Sequence, residues 1–243
     1  MQSFLIALQL LTSLPVRLGG MPEPQTIGRS MIYYPLVGLL LGTILWLVSA
    51  ALDGAALPLQ AALLLAIWVA LTGALHLDGL ADSADAWLGG FGDRERTLQI
   101  MKDPRSGPIA VVVLVLLLLL KFVALWTLLA QGEQLALLLA PLLGRSALLG
   151  LFLTTPYVRP GGLGQALTEH MPRAQIRVVL MAVVAICLLL GALGWLALLV
   201  TVVIGALARR AMWRRLGGTT GDTAGALLEL VECAVLVALA LHV

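Results

Sequence analysis

Most of this chain is too apolar to face water. A bilayer crossing takes about 20 consecutive apolar residues, and the sequence offers such runs at roughly 31–52, 57–76, 108–130, 135–153 and 223–243. A further apolar stretch, 176–208, is 33 residues long. That is too long for one untilted crossing. The GALG segment at 191–194 offers a turn, which splits the stretch into 176–190 and 195–208. The expected fold is therefore all-α: a polytopic transmembrane helix bundle of about seven spans, or six if 176–208 is one tilted helix. Composition agrees. Hydrophobic residues make up 60% of the chain and charged ones 12%, the latter about half the usual share. That balance excludes an ordinary water-soluble domain. No linker, fixed-period repeat or low-complexity segment divides the chain, so 1–243 reads as one integral membrane domain.

The opening residues, MQSFLIALQLLTSLPV, carry no basic n-region and no evident small-residue cleavage site. They predict an N-terminal amphipathic helix, lying at the membrane or packed on the bundle. Seven spans alternate the loops cleanly. One side receives 15–30, 77–107, 154–175 and 209–222, and every Lys and Arg except Lys121 and Arg145 falls in or beside these loops. The other side receives 53–56, 131–134, 191–194 and the C-terminus, with no Lys or Arg. The positive-inside rule makes the basic side cytoplasmic. Merging 176–208 into one span would put the cluster Arg209–Arg215 outside. The net charge of +2 suggests no nucleic-acid partner. Cys187 and Cys233 sit in apolar runs and fit no disulfide framework or metal motif.

Carboxylates concentrate in two places. The first is His76-Leu-Asp78-Gly79-Leu-Ala-Asp82-Ser-Ala-Asp85, where the second span meets the cytoplasm. On a helix, Asp78, Asp82 and Asp85 fall within about 60° of one another. Three like charges on one face repel, and a divalent cation removes the repulsion. Hard carboxylate oxygens suit Mg²⁺ or Mn²⁺. A solvated helix end is the bland alternative. The second cluster is Gly221-Asp222 with Glu229 and Glu232. Asp222 and Glu229 share a helix face, and Glu232 lies within about 80° of Asp222. Glu229 and Glu232 sit inside the last span, where an ionisable group is expensive and signals function. Both clusters fall on the same side of the membrane and predict a shared metal site.

Bases accompany the acids. The loop RERTLQIMKDPRSG at 94–107 holds Arg94, Arg96, Lys102, Asp103 and Arg105. Arg and Lys are natural phosphate ligands, though the same loop would also suit anionic lipid heads. Arg145, mid-span, is expected to face the bundle interior; Lys121 either does so or snorkels. His76 is left open between ligand, base and satisfied helix-end residue. Metal-binding carboxylates, phosphate-binding bases and a membrane surface together point to phosphoryl transfer. There is no Walker A sequence, kinase glycine-rich loop or HExxH.

Three motifs, HLDGLADSADA at 76–86, the 94–107 loop and GDTAGALLEL at 221–230, with YPLVG at 34–38, resemble the cobalamin synthase family, the adenosylcobinamide-GDP ribazoletransferases. The resemblance runs in matching order from near residue 1 to the end. It implies a reaction. The 3′-hydroxyl of α-ribazole, or of its 5′-phosphate, attacks the phosphorus on the aminopropanol arm of adenosylcobinamide-GDP, and GMP leaves. It implies Mg²⁺ as cofactor, membrane lipid as surroundings, and a site facing the cytoplasm from the cytoplasmic (inner) membrane. Oligomeric state stays open. Carried over as catalytic are Asp78, Asp82, Asp85, Asp222 and Glu229. With Glu232 these are the expected metal ligands, one carboxylate serving as base. Substrate contacts are expected from His76, Arg94, Arg96, Lys102, Asp103, Arg105 and Arg145. Two alternatives stand beside this reading. A CDP-alcohol phosphotransferase uses similar chemistry, but its signature has an Arg after the first Asp pair and a downstream Asp pair, and both are missing here. A secondary transporter would show inverted repeats, and the sequence has no such symmetry.

Overall fold

The computed structural model describes residues 1–161 and 163–242. Among them the chain is all helical but for one isolated parallel bridge between Tyr157 and Thr219. Helix α1 spans Gln2–Leu11. Helix α2, Pro24–Ser30, continues through a 3₁₀ turn, Met31–Tyr33, into α3, Tyr34–Ala51. Then follow α4 (Leu57–Thr72), α5 (Leu75–Gly89), α6 (Arg94–Ile100), α7 (Pro108–Ala130), α8 (Leu135–Thr154), α9 (Leu163–Glu169), α10 (Arg173–Leu189), α11 (Gly191–Leu216) and α12 (Gly221–His242). Prolines open α2, α3, α4 and α7, where a missing N–H costs no helical hydrogen bond.

The protein is a polytopic membrane helix bundle. Five stretches are long and apolar enough to cross: α2–α3, α7, α8, α11 and α12. A sixth is formed only by α4 and α5 together, and that pair is bent by 87°. The bend corrects the expected span 57–76. Gly73 and Ala74 both take left-handed backbone, at φ +61° and +57°. Gly73 ends α4 as glycine commonly ends helices, and the helix carrying the HLDGLAD motif leaves in a new direction. The expected division of 176–208 occurs, but at Leu190–Gly191, with Gly191 at φ +70°. The turn is tight, and a Cβ on Gly194 would run into the Cys187 carbonyl. Arg209–Arg215, expected in a loop, instead form the last turns of α11. Cations there face the negative end of the helix dipole.

Burial separates the centre from the periphery. The apolar window of α8 is 78% buried and that of α12 is 67%, against 28% for α7 and 11% for α11. The outer helices show Val112, Leu116, Leu119, Leu199 and Val203 to the surroundings, as lipid-facing helices do. Against α8 packs α3, through Gly38 and Gly42. A Cβ on Gly42 would lie 2.7 Å from the Leu137 carbonyl oxygen, and one on Gly38 would strike that of Pro141. Small residues four apart let two membrane helices approach this closely. Helix α1 buries Ile6, Ala7, Leu8 and Leu11, the last three in the main core, and leaves Gln2 and Gln9 exposed. The Ser13 N–H, just beyond it, donates to the Leu71 carbonyl at the end of α4, 2.8 Å away.

Candidate active site

The first turn of α12 is built by the Gly-Thr-Thr-Gly-Asp-Thr segment, 218–223. Thr220 Oγ1 accepts from the Thr223 N–H at 3.2 Å, and Thr223 Oγ1 accepts from the Thr220 N–H at 2.9 Å. This reciprocal cap works like a capping box. It sets Asp222 in the first turn, where a negative charge is favoured. Across that turn lies α5. A Cβ on Gly79 would sit 2.8 Å from the Asp222 carbonyl oxygen, so only glycine lets the two helices meet there. The crossing brings Asp78 and Asp222 to one cavity of about 220 Å³. One turn further along α5, Asp82 feels the charges of Asp78, Asp222 and Asp85.

Residues from the other loops close this end of the bundle. Arg159 Nη1 donates to Asp222 Oδ2 at 2.8 Å. Its loop is pinned beside the α12 cap: the Val158 N–H donates to the Thr219 carbonyl, and the Thr219 N–H to that of Pro156, both at 2.9 Å. Lys102, Arg159 and Asp222 share a small cleft with Met101 and Thr220. Tyr157 stands beside Arg159 and Asp222, and its burial pushes the phenol pKa up, so the hydroxyl keeps its proton at neutral pH.

Deeper in the bundle a second polar layer is sealed off. Lys121 Nζ lies 2.6 Å from Glu229 Oε2 and 2.7 Å from Glu232 Oε2. The Arg145 guanidinium bonds the other oxygen of Glu232. All four side chains are at most 4% exposed. Two cations balance two carboxylates. The Lys121 ammonium also stands 4.9 Å over the Trp68 ring on α4, a cation–π contact in a dry place. Arg145 Nε and Nη2 and His76 Nδ1 are buried with no hydrogen-bond partner.

The structure thus sorts the residues expected at the site. Asp78, Asp82, Asp222 and Lys102 gather at one end of the bundle, and His76 lines the same cavity as Asp78. Glu229 and Glu232, expected as metal ligands, are instead joined to Lys121 and Arg145, whose cations supply the compensation expected from a metal. Arg145, expected at a phosphate, is wholly inside. Asp85 accepts from the Gly107 and Ala110 N–H groups and so anchors the start of α7. Arg94 Nε donates to the Leu216 carbonyl at 2.7 Å, tying α6 to the end of α11. Arg96 stacks over Phe91. Arg105 pairs with Asp103 on the surface at 2.8 Å and holds its carboxyl at about 2. Arg159 was missed. Its only signal was a lone base between Tyr157 and Pro160 in a Gly- and Pro-rich loop.

Among the described residues, no three His, Cys, Asp or Glu side chains are disposed to hold a metal ion. Asp222 spends one oxygen on Arg159, and Asp85 spends both on backbone. What remains is the pair Asp78 and Asp82 with the second Asp222 oxygen. That donor set is too small for an all-protein cage. It suits Mg²⁺, which is commonly held by one or two carboxylates and completed by substrate phosphates.

No solved structure matches the chain. The sequence model of cobalamin-5-phosphate synthase matches residues 3–240. An adenosylcobinamide-GDP ribazoletransferase from Stutzerimonas stutzeri (strain A1501) is 70% identical over 243 residues, covering 100% of this chain and 99% of the relative. One of the same name from Pseudomonas putida (strain GB-1) is 69% identical over 241 residues, with 99% of each covered. Another, from Pseudomonas fluorescens (strain Pf0-1), is 66% identical over 237 residues, covering 97% of this chain and 98% of the relative. Similarity this high leaves every helix and every residue of the carboxylate site inside the matched region, and the chain belongs to the cobalamin-5-phosphate synthase family.

Proposed function

We propose that this protein is an adenosylcobinamide-GDP ribazoletransferase, joining the 3′-hydroxyl of α-ribazole, or of its 5′-phosphate, to the phosphate of adenosylcobinamide-GDP with release of GMP. One observation carries the reading: Asp222 lines both the cavity of Asp78 and the cleft of Lys102 and Arg159, with Asp82 near enough to feel Asp78, Asp222 and Arg159, in a chain of this family. Lys102 and Arg159, which share a cleft with Asp222, are the bases placed to hold a diphosphate. Asp78, which lines the cavity and is not ion-paired, takes the proton of the attacking hydroxyl. As the new O–P bond forms, the bond from phosphorus to the GMP oxygen breaks, and GMP leaves with its pair of electrons. One or two of Asp78, Asp82 and Asp222 would hold Mg²⁺ together with the substrate phosphates, and when bound it supplies charge neutralisation for them.

The same reading puts the site at the cytoplasmic face of the inner membrane. It counts seven crossings: α2–α3, α4, α7, α8, α10, α11 and α12, with α5 turned aside at the cytoplasmic end. The basic residues of α6, α11 and the loop after α8 support this orientation. The direct test is GMP release from adenosylcobinamide-GDP by the purified protein in lipid. Release is expected only with both α-ribazole and Mg²⁺ present. Turnover without ribazole would point to a hydrolase and sink the proposal.

A further inference from the structure

The cavity at the α5–α12 crossing has two unlike ends. Its walls are Leu10 and Leu11 of α1, Leu148 and Phe152 of α8, and Leu167 of α9. Its polar lining is Asp78, Asp222, His76 and Tyr34. At about 220 Å³ it falls below the roughly 300–1,000 Å³ of pockets for drug-sized ligands. A corrin ring cannot enter. A guanine base is small enough, but its edge carries several donors and acceptors that Leu and Phe walls would leave unpaired. A benzimidazole is a flat, apolar bicycle with a single free ring nitrogen. Two uncharged polar side chains line the cavity, Tyr34 and His76; Tyr34 faces Ser30, while the His76 Nδ1 is sealed in the bundle without a partner, which leaves its Nε2 for the cavity. A neutral imidazole carrying its proton on Nε2 donates to such a nitrogen.

We propose that this cavity is the specificity pocket for the aromatic base of the nucleoside acceptor, with His76 reading the base's free ring nitrogen and the ribose left at the mouth beside Asp78. The inference rests on the ribazoletransferase reading and adds the residues that choose the acceptor. It also involves α1 directly. The N-terminal helix is one wall of the pocket, so acceptor binding depends on its docking to the bundle.

The test uses the full chain in lipid and compares acceptors. The α-riboside of 5,6-dimethylindole has the shape of ribazole without the ring nitrogen. Wild-type protein should use it with a kcat/KM about tenfold lower than ribazole, the scale of one buried hydrogen bond. His76→Phe should treat the two acceptors alike. Leu10→Trp and Leu167→Trp fill the cavity from two different helices. Each should raise KM for ribazole at least about tenfold while KM for adenosylcobinamide-GDP stays within about twofold, the split expected when binding of one substrate alone is lost. Phe152→Ala should shift preference toward a riboside of the larger naphthimidazole. A wild-type enzyme indifferent to the ring nitrogen overturns the inference. So do Trp variants that leave ribazole KM unchanged or that raise the corrinoid KM instead. In those cases GMP release by the wild type still upholds the reaction. A wild type that releases no GMP sinks the reaction and the pocket together.

Discussion

Lys121 sits within 2.7 Å of two carboxylates and over a Trp ring, in the interior of a helix bundle. Removing one partner of such a set leaves buried charge unpaired, at a cost of about 3–5 kcal/mol. Lys121→Met should therefore lower the detergent-solubilised melting temperature sharply. Adding Glu229→Gln should recover part of the loss, since it removes one stranded charge. A single variant as stable as wild type would show that the quartet carries no weight. Asp82 is the contrasting case. It feels the charges of three other carboxylates and has nothing structural to hold together. Asp82→Asn should leave melting unchanged and lower GMP release by at least about 10²-fold, as expected when charge stabilisation by a metal is lost. Near-normal turnover at saturating Mg²⁺ would remove Asp82 from the site. The two variants separate stability from chemistry at residues that, in the sequence, are both just charges beside apolar runs.

At the scale of elements, the site depends on how α5 crosses α12. The sequence pattern of acids at i, i+4 and i+7 correctly places Asp78, Asp82 and Asp85 on a helix. It does not show that the helix turns by 87° after Gly73, because hydropathy is blind to direction. The turn is what lays Gly79 against Asp222. Gly79→Leu would put a side chain where a Cβ is already 2.8 Å from backbone oxygen. The helices must then part, and activity should fall at least as far as for Asp82→Asn, with melting lowered as well. A Gly79→Leu protein of normal activity would mean that the crossing does not define the site. Asp85 shows the limit of face-sharing arguments. It lies on the same face as Asp78, but the chain brings the start of α7 to it, and its oxygens go to backbone donors.

At the scale of the whole molecule, the outer helices present apolar side chains to lipid while α8 and α12 hold the charged interior. The seven crossings proposed above would put both Glu95 and Arg214, which are exposed, on the cytoplasmic face. They would put Asp53 and Gln131 on the other, where both are exposed. Single cysteines at these four positions, in a chain whose own two cysteines are buried, should label in two pairs from opposite faces of sealed vesicles. Arg214 labelling together with Asp53 would mean that α10 and α11 do not form two crossings, and the basic-side rule would fail for this chain.

Apolar runs, their lengths and the one-sided distribution of Lys and Arg are local quantities, and they determined the fold class, most of the spans and the end of the bundle that carries the motifs. They also marked Asp78, Asp82 and Asp222, because carboxylates concentrated at helix ends stand out against Leu, Ala and Val. Partnership is not local. Arg159 with Asp222, Lys121 with Glu229 and Glu232, and Arg145 with Glu232 join residues 63 to 111 positions apart. Each charge could have been satisfied by metal, substrate, lipid head or protein, and the sequence contains the charges without saying which. Only the packing of α5, α7, α8 and α12 decided it. A buried charge must be compensated by whatever lies within a few ångströms, and that neighbour is chosen by where the helices cross.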